Sequence, residues 1–199
     1  MITWLNLPVK TTQTDVDETG QPAESPVKMA ARLARAKSHA IQSASNDWIL
    51  AADTVVDFEG TALGKPQNVQ EAQRMLKMLR GQIHLVHTSV TLRIPDLNHE
   101  ALRSVTTRVQ MRPYTDVEID VYIAGGDPMD KAGAYAIQHA GFNPVIQLDR
   151  CYANVVGLPL CAVVALLEVQ GITLQTEVSQ LCLDHFGYRC SRPDRGVSL

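Results

Sequence analysis

AADTVV (residues 51–56) and LGKP (63–66), the two ends of one sixteen-residue stretch, decide how this chain folds. They follow the apolar run WILAA and place a carboxylate, a hydroxyl and an ammonium within thirteen residues. Continuous apolar character bounded by turn formers predicts a buried strand, with Asp53 at its end where its charge reaches solvent. The intervening VVDFEGTALG predicts the rest of a strand and a hairpin, which folds Lys65 back toward Asp53. A metal-bound phosphate suits the gap between them.

Working outward from that stretch, residues 10–24, KTTQTDVDETGQPAE, are polar and acidic and predict a surface loop, from which Glu18 can face a cleft. A helix follows over VKMAARLARAKSHAIQSA (27–44), with Ser25 as cap, Pro26 in the first turn, and Val27, Ala30, Leu33, Ala34 and Ile41 on an apolar face. Lys37 lies on it among small residues. Downstream, Asn68 with Glu71 forms a capping box for VQEAQRMLKMLR, which Gly81 ends. Residues 83–94 and 101–112 are rich in β-branched side chains and predict an antiparallel pair. Thr115 and Glu118 make a second capping box, closed by Gly125 and Gly126. A polar turn, DPMDKAGAYAIQ, leads to the strand PVIQLDR and the helical region NVVGLPLCAVVALLEVQG. Residues from about 173 read as an appendage.

Composition narrows the function classes. The 199 residues are 45% hydrophobic, enough for one substantial core, divided at most into two lobes. A net charge of −3 and only two Trp, five Tyr and three Phe argue against a polymeric nucleic-acid partner. The longest apolar run, Val155 to Leu167, contains Gly157 and Pro159 and is too short to span a bilayer. No secretory h-region opens the chain, so the expected compartment is the cytoplasm. The four cysteines lack a C-x-x-C pair and are expected to be reduced. Cys182, His185 and Cys190 share CLDHFGYRC, but the spacing fits no strong zinc pattern. His84 and His87 alternate with apolar residues and read as sheet-face residues rather than ligands.

AADTVV, LGKP, EAQRMLKMLRGQIHLVHTSVTL, GDPMDKAGAYAIQ and YANVVGLPL, in that order over residues 14–167, resemble the Maf family of nucleoside-triphosphate pyrophosphatases. TDVDET and LARAKSHA are similar to the family's acidic loop and lysine-bearing helix. The resemblance implies an elongated α/β fold of the inosine-triphosphate-pyrophosphatase type, with a mixed sheet flanked by helices and a central cleft between two lobes, over residues 1–172. It also implies hydrolysis of a nucleoside triphosphate to monophosphate and pyrophosphate with a divalent cation, Mg or Mn, and a possible homodimer.

By the same resemblance Asp53 matches the proton acceptor, Glu18 a metal or water ligand, and Lys37 and Lys65 phosphate donors, with Glu18 and Asp53 as the metal carboxylates. Asp130 and Lys131 are weaker candidates for the same cleft. Gln138, with an amide donor and a carbonyl acceptor, suits the edge of uracil or thymine, and Thr54 adds a hydroxyl. The branch of the family with Thr and Gln at these positions favours dTTP and UTP. The chain departs from the pattern in three ways. It lacks the Ser-x-Ser-Pro-x-Arg loop that family members carry ahead of the acidic loop, which predicts reduced phosphate binding and a bared sheet edge unless the first residues or the tail cover it. His139 and Arg150 stand where the family usually has glycine. The competing reading is a nucleotide-binding or cell-division regulatory protein without turnover.

Overall fold

The structure, a computed structural model, describes residues 1–42, 47–175 and 177–190. Five strands form one sheet: β1 (Ile49–Phe58), β2 (Thr61–Leu63), β3 (Ile83–Ile94), β4 (His99–Met111) and β5 (Val145–Asp149), in the order β2-β1-β3-β4-β5. The α/β class is as expected. The sheet is antiparallel at each of its four pairings rather than mixed. The connections explain this: β1–β2 and β3–β4 are hairpins, and no helix among the described residues serves as a crossover between parallel neighbours. Glu59 and Gly60, at φ 51° and 82°, give the β1–β2 hairpin the doubly positive turn that matches strand twist.

Among the described residues six α-helices accompany this sheet: α1 (Pro26–Ala40), α2 (Val69–Leu79), α3 (Asp116–Ala124), α4 (Tyr152–Val156), α5 (Leu160–Val169) and α6 (Val178–Phe186). Asn68 caps α2 by accepting from the Glu71 amide, while the Glu71 carboxylate reaches back to the amide of Gln67 rather than of Asn68. Thr115 and Glu118 close a complete capping box on α3. Ser25 stands at the start of α1 and Pro26 in its first turn, as expected, although the Ser25 side chain makes no cap bond. The helix stops at Ala40, so Ile41, expected on its apolar face, is extended. The last two residues of the expected helix, 43 and 44, lie outside the described residues.

The core divides in two along β3. Val56, Val86, Val109 and Met111 pack with α2 and α3, whereas Val90, Leu92 and Val105 pack with Leu5, α5 and Cys182 of α6. Even-numbered residues of β3 serve both clusters, so the two lobes share one sheet face. Between them sits α4. Its Asn154, fully buried, donates to the Val86 carbonyl at 2.9 Å and to Thr107 Oγ1 at 3.0 Å.

MITWLNLPV does not pair with a sheet edge. Its Ile2–Leu5 turn buries Leu5, and Trp4 stacks on His185 at 3.9 Å. His185 is thereby a packing residue, while Cys151, Cys182 and Cys190 are free cysteines gathered in the same buried cluster. Among the described residues no group of three His, Cys, Asp or Glu forms a metal cage.

Arg150 has φ 92° and is exposed. A residue with a Cβ is strained there by about 1 kcal/mol relative to glycine. Arg150→Gly is therefore expected to raise unfolding free energy by about 1 kcal/mol in urea titrations; an unchanged or lower midpoint would contradict the strain. His139, by contrast, is held by packing. Its Nδ1 accepts from the Phe142 amide at 2.9 Å, and its ring meets Tyr122 edge-on.

Candidate active site

Strand β1 is paired with β3 from Ile49 to Asp57, but with β2 only from Val56 onward. Its other side over Ile49–Val55 has no strand partner among the described residues, and a cavity of about 650 Å³ opens along it. Five consecutive residues, Ala52 to Val56, line that cavity. Successive side chains of a strand point to opposite faces, so such a run can line one hollow only if the hollow wraps round the strand's edge. This corrects the placement of Asp53: it lies inside β1, not at its end, and reaches the cavity sideways.

Asp53 shares its face with Ser89 and Ser104, its registered neighbours on β3 and β4. Helix α1 packs across that face, burying Ala30, Leu33 and Ala34. Its last turn thereby carries Lys37 over Asp53, with Nζ 2.5 Å from Oδ1. The same Nζ lies 2.7 Å from Glu18 Oε1, and Glu18 Oε2 lies 3.1 Å from Lys65 Nζ. Asp53, Lys37, Glu18 and Lys65 thus form one chain of alternating charge, all four lining the cavity. The acidic loop, helix, strand and hairpin meet at this cavity, with Lys65 paired to Glu18 rather than to Asp53.

The four groups differ in environment. Asp53 is only 8% exposed, and burial pushes its carboxyl above the usual range, an effect that the Lys37 ammonium offsets only in part. Burial also works against the charge on Lys37, but its hydrogen bonds to Asp53 and Glu18 prevail and raise its value. For Glu18, burial is again outweighed, here by hydrogen bonds from Lys37 and Lys65, and its carboxyl is held below the usual range. The site therefore holds one carboxyl raised by burial beside one held low by two ammonium groups.

Thr54, Asp130, Lys131 and Gln138 line the same cavity. Lys131 is tied to its own loop, at 2.6 Å from Asp130 Oδ1 and 3.2 Å from Asp127 Oδ1. Gln138 is exposed at the wall. Thr54, on the face opposite Asp53, hydrogen-bonds to Thr88. His84 and His87 stay in the sheet: His84 is buried against the Tyr135 hydroxyl, its pKa lowered to about 4 by desolvation, and His87 lies between Asp57 and Thr106. Behind the cavity wall lie Thr88 and Asn154, both fully buried, which the sequence does not single out. Asn154 is visible inside YANVVGLPL, but its contacts and the 54–88 register depend on hairpin closure.

Two carboxylates that touch one ammonium from either side have oxygens at most about 5 Å apart. They are hard oxygen donors, and a Mg or Mn ion is commonly held by one or two carboxylates together with substrate phosphates. Asp53 and Glu18 fit that donor set.

The family model described as Maf-like protein matches residues 1–170 of the chain. The chain is 41% identical over 171 residues to the dTTP/UTP pyrophosphatase of Syntrophomonas wolfei, which covers 85% of this chain and 90% of that protein. To the protein of the same name from Myxococcus xanthus it is 43% identical over 166 residues, 83% of each chain. The Thermus thermophilus protein of that name is 40% identical over 168 residues, 84% of this chain and 86% of its own length.

Proposed function

The chain belongs to the Maf-like protein family, and from that premise we propose that it hydrolyses dTTP and UTP to the monophosphate and pyrophosphate. The observation that carries the reading is the alternating chain Asp53–Lys37–Glu18–Lys65 in one cavity. Water attacks the α-phosphorus, the bond to the bridging oxygen breaks, and pyrophosphate leaves. Asp53, its carboxyl raised by burial, accepts the proton of the water. Lys37 and Lys65 turn from carboxylates to phosphate oxygens, where their charges offset the polyanion.

The four groups sum to no net charge, so a triphosphate brings about four negative charges that the two lysines alone leave uncompensated. Glu18 and Asp53 would hold a divalent cation, which would supply that compensation by offsetting charge on the phosphates. Asp130 and Lys131 flank the phosphate end, while Thr54 and Gln138 read the base. The catalytic unit is residues 1–172, to which residues 173–199 add an extension. No described helix is long and apolar enough to cross a membrane. The enzyme acts in the cytoplasm, on free nucleotides rather than a nucleic-acid polymer, and as a homodimer.

Incubation with UTP or dTTP and Mg or Mn is expected to release pyrophosphate and monophosphate in equal amounts, read by a coupled phosphate assay and chromatography. Orthophosphate as the first product would contradict cleavage at the α-phosphorus. Nucleotide binding with no release would mark a binding or regulatory protein instead.

A further inference from the structure

Thr54 and Thr88 are registered partners on β1 and β3, with their Oγ1 atoms 2.9 Å apart. Thr88 is fully buried, and its Oγ1 also lies 2.8 Å from the main-chain carbonyl oxygen of Asn154. A hydroxyl owns one proton, and a carbonyl oxygen can only accept. The Thr88 proton is therefore committed to Asn154, and the bond between the two hydroxyls must take its proton from Thr54.

Helix α4 holds this acceptor in place. Both amide protons of Asn154 are used, on the Val86 carbonyl and on Thr107 Oγ1, and Thr107 in turn donates to the Cys151 carbonyl at 3.1 Å. Polarity thus runs one way from the cavity wall into the core. With its proton spent inward, Thr54 meets the cavity as an acceptor alone.

We infer that Thr88 is a positioning residue that fixes Thr54 as a hydrogen-bond acceptor, selecting pyrimidines whose ring N3 carries a proton over cytosine, whose N3 does not. The inference rests on the pyrimidine-triphosphate reading of the cavity. Uracil and thymine present a ring N–H between two carbonyls, so an acceptor at Thr54 and the amide of Gln138 match that edge. Cytosine would set its lone pair against that of Thr54, and a buried polar mismatch rejects an analogue more strongly than a lost apolar contact does.

The test compares wild type, Thr88→Val and Thr88→Ser, with Thr88→Ala as a smaller replacement lacking the hydroxyl. Two ratios are measured: kcat/KM for UTP against CTP, and Kd for UMP against CMP by calorimetry. Without the Thr88 acceptor, Thr54 can turn its proton to the cavity. The UTP preference is expected to fall about tenfold or more in the Val and Ala variants and to persist in the Ser variant, whose hydroxyl keeps the relay. A purely structural role would lower both nucleotides alike. Equal ratios in the Val, Ala and Ser variants overturn the inference, as does equal use of UTP and CTP by wild type. Failure of the wild type to release pyrophosphate removes the hydrolase reading, and the UMP/CMP affinities then judge the relay by themselves.

Discussion

Asp53→Asn is expected to lower kcat for UTP hydrolysis by about three orders of magnitude, within the range for loss of a positioned general base, while the melting temperature stays at or above that of wild type. The amide has the shape of the carboxylate, and its oxygen can still accept from Lys37, which keeps Glu18 as a second partner. What it cannot do is take a proton from water. The stability half follows from linkage. Burial raises the Asp53 carboxyl above its ordinary value of 3.8, so the folded chain binds that proton more tightly than the unfolded one. The contribution of Asp53 to stability accordingly falls as pH rises from 3.8 through the folded value, and the loss persists at neutral pH. Replacing the carboxylate by a neutral amide removes that cost. Steady-state kinetics and thermal melts on the same preparation check both halves. Near wild-type turnover would sink the role of base, and a sharply lowered melting temperature would show that Asp53 is structural.

Much of this site is legible in the sequence because its parts are local. Asn68 and Thr115 cap their helices with side-chain oxygens three residues from their partners, and Glu59-Gly60 closes a hairpin whose sequence fixes its turn. These devices depend on spacing alone. Ile41 misleads because helical periodicity continues past Ala40 in the sequence, whereas the chain turns extended there. The antiparallel sheet and the gathering of three cysteine thiols depend on which strand lies beside which, and no short-range pattern encodes that. Asp53 illustrates the difference: its chemistry is readable from the motif, but its place inside β1 rather than at its end requires knowing that β2 pairs only from Val56. The Thr54–Thr88–Asn154 relay joins residues up to a hundred positions apart, so its polarity emerges only once three elements are in contact.

Lys37→Met separates two roles that one ammonium can perform. If Lys37 only donated to phosphate, its loss would raise KM at every pH and leave the shape of the pH profile unchanged. Its position between Asp53 and Glu18 demands more. Lys37 opposes the burial that raises Asp53 and contributes to holding Glu18 low; without it the two carboxylates face each other in one cavity, where like charges make the second ionisation harder. Both effects move the acid side of the profile to higher pH. kcat/KM at pH 7 is expected to fall about 10²–10³-fold, with part of the loss recovered toward alkaline pH as the remaining proton leaves the pair. Methionine keeps an apolar stem of similar length, so the packing of α1 on β1 is largely retained. Lys37→Arg, which restores the charge with a different shape, is expected to bring the acid limb back toward wild type even if kcat stays low. A Lys37→Met profile parallel to wild type from about pH 5 to 9 would show that the ammonium serves the substrate alone, and Asp53 would then need another source for the control of its proton.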